Sequence, residues 1–184
     1  MMLEELRNQV LQANKKLKEH ELVIFSWGNV SGIDREKGIF AIKPSGLPYD
    51  ELTAEKIVLV DLDGNVVEGD LKPSSDTPTH LELYNNFANI SGVCHTHSTY
   101  ATMWAQACKS IPALGTTHAD HFYGSVPVTS TMKDEDIAKD YEKITGTYII
   151  NEFIDRKPLY MPAVLVANHG PFTWGESASD AVKN

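Results

Sequence analysis

Ile90-Ser91-Gly92-Val93-Cys94-His95-Thr96-His97, followed by Ser98-Thr99-Tyr100, reads as a strand that hands over directly to a helix. Ser98 suits the N-cap, and Met103 and Trp104 fall inside the helix that it opens. In an extended strand, residues two apart project to the same face, so His95 and His97 point one way while Cys94 and Thr96 point the other. Two imidazoles on one face can share a metal ion. A hydrogen-bonded pair at a strand end fits the same pattern, and the pair alone leaves both readings open.

Working back from this stretch, Thr77-Pro78 supplies an N-cap and a first-turn proline for a helix through Leu81, Tyr84 and Phe87. Ahead of it lie short apolar or alternating runs at Leu22–Phe25, Ile39–Ile42, Ile57–Leu62 and Val66–Glu68, the last two joined by a turn at Asp63-Gly64-Asn65. The chain opens with Leu3, Leu6, Val10, Leu11 and Leu17 at helical spacing. Towards the C-terminus, helical spacing runs from Asp134 to about Phe153, and Met161–Ala167 reads as the final buried strand, leading into Asn168-His169-Gly170. Strands and helices interleave without strict alternation. This predicts a three-layer α/β/α fold of one domain, residues 1–184, around a mixed, largely antiparallel sheet. A last helix opening near Glu176 is marginally short at Asn184, so the sequence reads as a longer chain cut there.

With 184 residues the chain can bury a full core, and 42% hydrophobic against 22% charged residues sets aside the disordered and membrane classes. No apolar run approaches the roughly 20 residues of a membrane helix and no signal-peptide order opens the chain, so a cytoplasmic location is expected. The net charge of -9 argues against a nucleic-acid partner, which needs clustered Lys and Arg. Cys94 and Cys108 form neither a disulfide framework nor a thiolate cluster.

Other residues extend the histidine signal. His169 follows the last expected strand, and Asp76 stands just before a helix start. Three imidazoles and one carboxylate suit a divalent metal, zinc foremost, with manganese, iron or cobalt fitting a more open geometry. Taken singly, His169 and Asp76 also read as a hydrogen-bonding group and a cap. Lys43-Pro44-Ser45-Gly46 and Ser74-Ser75 offer hydroxyls, backbone N–H groups and one charge to a phosphate, although Ser-Ser-Asp-Thr-Pro is equally a good helix cap. Trp27-Gly28-Asn29 forms a tight turn carrying an amide, and Asp120, in His118-Ala119-Asp120-His121, is a proton-transfer candidate or a surface residue.

Together these segments resemble the class II aldolase superfamily, and most closely its L-ribulose-5-phosphate 4-epimerases. The resemblance rests on six ordered blocks: S-W-G-N-V-S-G at 26–32, K-P-S-G at 43–46, K-P-S-S-D-T-P-T-H at 72–80, H-T-H at 95–97, G-T-T-H-A-D-H-F-Y-G at 115–124 and N-H-G-P-F-T-W-G at 168–175. It implies metal ligation by Asp76, His95, His97 and His169. It also implies substrate and phosphate contacts from Gly28, Asn29, Ser45, Gly46, Ser74 and Ser75, and an acid/base role for Asp120. Fuculose-phosphate type aldolases usually carry Glu where this chain has Asp76, and they lack the G-T-T-H-A-D block, so both features point to the epimerase.

The implied substrate is a phosphorylated ketopentose and the implied assembly a homotetramer with sites at subunit interfaces. A C-terminal tail that supplies further site residues in the family epimerases is missing from this sequence. The implied reaction breaks and remakes the C3–C4 bond, because hydrogen on carbon 4, β to the carbonyl, is too weakly acidic for direct removal. An aldolase that releases its aldehyde and a non-catalytic adducin-like module are the alternatives on the same fold.

Overall fold

A computed structural model describes residues 1–184 and shows one seven-stranded sheet. Its strands are β1 (Asn29–Asp34), β2 (Ile39–Ile42), β3 (Val58–Asp61), β4 (Val66–Glu68), β5 (Gly92–His95), β6 (Ala163–Leu165) and β7 (Pro171–Gly175). They are ordered β4-β3-β2-β1-β5-β7-β6, and every neighbouring pair is antiparallel. The helices are α1 (Glu4–Glu19), α2 (Thr77–Asn86), α3 (Thr99–Gln106), α4 (Thr116–Ala119), α5 (Asp134–Ile137), α6 (Tyr141–Glu152) and α7 (Ala178–Lys183).

The period-2 alternation of the strands sorts side chains into two cores, one on each face of the sheet. Phe40, Ile42, Val58, Val60, Val93, Phe172 and Trp174 pack with Leu83 and Tyr84 of α2 and Ile149 of α6. Ala41, Leu59, Val30 and Cys94 face the other way, against Val10, Leu11 and Leu17 of α1 and Ala178 and Ala181 of α7. The expected three layers are thus present. No helix is long and apolar enough to cross a membrane.

Side-chain size sets how closely the second layer approaches. Gly32, Gly92 and Gly175 lie in register across the neighbouring strands β1, β5 and β7. The bare backbone at Gly92 admits the N-terminal end of α7, so that a Cβ there would stand 2.2 Å from the Ser177 carbonyl oxygen.

Three expectations about elements need correction. Leu22–Phe25 is not a strand: Glu21 and Phe25 both take positive φ, 56° each, which breaks extended geometry at either end of the run. The region 134–153 is two helices, α5 and α6, with Asp140 as the N-cap of the second. Met161–Ala167 contributes only β6, and the last strand is β7, begun by Pro171, whose missing N–H is tolerated at the first position of a strand. β1 also went unread, because its run Asn-Val-Ser-Gly-Ile-Asp looks polar. Its buried polar groups are bonded instead: Asn14 of α1 accepts from Val30 N–H at 2.9 Å and donates to Val30 O at 3.0 Å, while Ser31 meets His80 and Tyr84 at 2.7 Å each.

Candidate metal centre

The site begins at the end of β5. The ladder stops at His95, so His97 lies beyond the strand, yet the two Nε2 atoms approach to 3.1 Å. His169 reaches them from a tight turn ahead of β7, in which Asn168 takes φ 63° and His169 N–H donates to Val166 O at 3.0 Å. Its Nε2 lies 3.0 Å from that of His97. One ligand nitrogen from each of the three residues lies within 4.8 Å of the others.

The donor chemistry fits a cation. His95 Nδ1 faces the Pro171 carbonyl oxygen at 2.9 Å. A carbonyl only accepts, so Nδ1 carries the hydrogen and Nε2 presents a lone pair to the cluster. The His95 ring is also stacked on Phe172, with centroids 4.2 Å apart. Burial, then the neighbouring His95, lower the pKa of His97. Burial followed by His95 and His97 bring His169 down to about 4. Neutral imidazoles at neutral pH are the form that binds metals.

Asp76 stands beside the triad but outside the 4.8 Å group. It is the N-cap residue of α2, yet its side chain makes no cap bond; Oδ2 instead accepts from Asn29 Nδ2 at 2.6 Å. Burial opposes its ionisation, but His95, His80 and the Asn29 hydrogen bond outweigh that and hold its pKa below the usual carboxylate range. Asn29 Oδ1 is buried without a partner, leaving an acceptor next to the carboxylate.

The two expected anion segments pair with each other. Ser45 N–H donates to Lys72 O at 2.9 Å and Ser74 N–H to Lys43 O at 3.0 Å, with a bridge between Pro44 and Pro73. Gly46 and Ser75 are exposed, and their N–H groups have no acceptor within the chain. Ser74 Oγ accepts from Asp76 N–H at 3.3 Å, which ties this segment to the triad's edge. Gly28 takes φ +82°, and a Cβ there would meet Val23 Cγ1 at 2.7 Å and His95 O at 3.0 Å, so only glycine fits beside β5.

Two expected site residues lie elsewhere than the sequence reading implied. Lys43 is buried, its ammonium turned inward to Ser26 O at 3.2 Å and Pro44 O at 3.3 Å and set over the Tyr49 ring. Burial lowers its pKa to about 8. In this position its ammonium ties the Ser26 carbonyl, at the start of the 26–28 loop, to the end of β2. Asp120 is exposed in a recess shared with Gly175, Glu176 and Lys183. Gly175 ends β7, whereas His169 precedes its start, so roughly 13 Å of strand at about 3.3 Å per residue separates the two regions. Within one chain, Asp120 does not join the triad.

Three site residues escaped the sequence reading. Phe172 and His80 fall inside quoted blocks without a role, and Tyr141 falls in none. His80 is fully buried, with Nδ1 2.7 Å from Ser31 Oγ and Nε2 unpartnered, and burial pushes its pKa down to about 3. Its position three residues into α2 is visible in sequence, but its burial depends on the sheet.

The chain belongs to the family described as class II aldolase and adducin N-terminal domain, which matches residues 8–184. Among solved structures, an L-fuculose 1-phosphate aldolase is similar at 30% identity, with TM-score 0.79 over 97% of this chain and 80% of that one. YgbL from Klebsiella pneumoniae, assigned only as far as aldolase/epimerase/decarboxylase, is 26% identical, with TM-score 0.76 over 100% of this chain and 84% of that one. The L-fuculose-1-phosphate aldolase of Thermus thermophilus, at 21% identity and TM-score 0.74 over 97% and 87% of the two chains, shares the fold.

Proposed function

We propose that this protein is a metal-dependent enzyme that epimerises L-ribulose 5-phosphate to D-xylulose 5-phosphate at carbon 4 by retro-aldol cleavage and re-addition. The observation that carries the reading is the convergence of the His95, His97 and His169 Nε2 atoms beside the paired Ser45 and Ser74 segments. A divalent ion, zinc or else manganese or cobalt, would be held by these imidazoles with Asp76, and would act as a Lewis acid on the negative charge that develops when the C3–C4 bond breaks.

The chain's own groups do the rest. Gly46 and Ser75 N–H, with the Ser45 and Ser74 hydroxyls, bind the phosphate at the N-terminal end of α2, where the helix dipole favours an anion. Asn29 donates to Asp76 and offers Oδ1 to a substrate hydroxyl. Gly28 lets that loop pass close to β5. Proton transfer on two faces of the aldehyde needs two acid/base groups. Asp120 is assigned as one of them, delivered by a neighbouring subunit of the tetramer that the family resemblance implies, since it stands apart from its own chain's triad. Asp120→Asn is expected to keep metal binding while lowering turnover about 100-fold. Turnover equal to wild type removes Asp120 from the mechanism.

The second reading is an aldolase that releases its aldehyde, favoured by the 30% identity to an L-fuculose 1-phosphate aldolase. Product analysis by NMR with L-ribulose 5-phosphate, before and after chelation, separates the two. Chelator-sensitive xylulose 5-phosphate supports the epimerase, and accumulating glycolaldehyde phosphate supports the aldolase. A chain that takes up no metal and leaves L-ribulose 5-phosphate unchanged is read as an adducin-like module.

A further inference from the structure

We infer that Tyr141 is a positioning residue for His169, holding its imidazole in the one tautomer and orientation that presents Nε2 to the site; the inference rests on the metal reading above. Tyr141 Oη lies 3.1 Å from His169 Nδ1. The Nε2 of the same ring faces His97 Nε2 at 3.0 Å. A hydroxyl can donate to Nδ1 or accept from it. Only acceptance leaves the hydrogen on Nδ1 and the Nε2 lone pair free for an ion, which is the arrangement that the Pro171 carbonyl imposes on His95. His169 sits on a turn, outside any strand, and Tyr141 is the side chain that fixes the far edge of its ring.

The placement of Tyr141 is itself built in from a distance. It is the first residue of α6, and Thr145 Oγ1 bonds back to its carbonyl at 2.8 Å. The helix lies alongside α2 with the two N-termini level. Thr79 Oγ1 donates to Glu142 O at 2.6 Å, and Gly146 lies so close to Glu82 that a Cβ would stand 2.5 Å from the Glu82 Cβ. The Phe87 and Phe153 rings, 5.6 Å apart, close the far end of the pair. The same helix pair therefore carries Asp76 at the head of α2 and Tyr141 at the head of α6. The orientation of His169 is thereby coupled to the packing that sets Asp76.

Tyr141→Phe keeps the ring and removes only the hydroxyl, so the fold is expected to survive, checked by an unchanged melting temperature of the metal-free protein. In the variant, zinc affinity measured by chelator competition is expected to fall about 10- to 100-fold, as for the loss of other groups behind a metal ligand. The 15N shifts of selectively labelled histidine in the metal-free protein are expected to show His169 as the Nδ1–H tautomer in the wild type and as a mixture in the variant. Zinc affinity within about twofold of wild type, or a His169 tautomer that ignores the substitution, overturns the assignment. A wild-type chain that binds no zinc defeats the metal reading instead, and the tautomer measurement, which needs no metal, still decides the Tyr141–His169 bond by itself.

Discussion

His95→Ala is expected to abolish stoichiometric metal binding and to lower turnover by about three orders of magnitude, since a Lewis acid at a developing charge is worth several kcal/mol and roughly 4 kcal/mol is a thousandfold in rate. His95 is the right position for this test because it is the most constrained of the three imidazoles. It is 2% exposed, bonded through Nδ1 to Pro171 O at 2.9 Å and stacked on Phe172. The alanine also leaves a small cavity in the sheet, so the comparison includes His95→Gln, which refills the space. Metal content of the purified variants and single-turnover rates are the readouts. A variant that retains one ion per chain at wild-type affinity would show that the triad is not the binding site.

The second large effect concerns stability. Gly92→Ala is expected to destabilise the fold by about 3 kcal/mol, the upper end of ordinary overpacking, lowering the melting temperature by roughly 10 °C for a chain of this size. The added Cβ would stand 2.2 Å from Ser177 O, 2.4 Å from Ser177 C and 2.5 Å from Ala178 N, all backbone atoms that cannot rotate away. Relief requires α7 to lift off the sheet, exposing Ala178 and Ala181, which are 5% and 0% exposed. Gly115→Ala is the control, because an added Cβ there meets nothing within 4 Å. Calorimetry that finds the two variants equally stable would refute the close approach of α7 to β5.

His95 and Gly92 also mark how far the sequence could be read. The pair His95 and His97 was visible because alternation along a strand is a local property, two residues apart on one chain. The real geometry differs, since the ladder ends at His95 and His97 meets it from beyond the strand. The reason that Gly92 must be glycine was not visible at all, because the clash comes from Ser177, 85 positions further along. β1 was missed for a similar reason. Its polar Asn29 and Ser31 look like loop residues until Asp76 and His80 supply their partners from α2.

Local patterns alone determined the amphipathic α1, the β3–β4 hairpin, the proline-started α2 and the three-layer class, since each follows from periodicity or turn chemistry within a few residues. The tertiary structure decided which distant groups meet. It joined His169 to the β5 histidines and set Tyr141 behind it, turned Lys43 inward, and put Asp120 at the opposite end of β7. Those outcomes depend on strand order and on helices packing across the sheet, and a linear sequence carries no local signal for either.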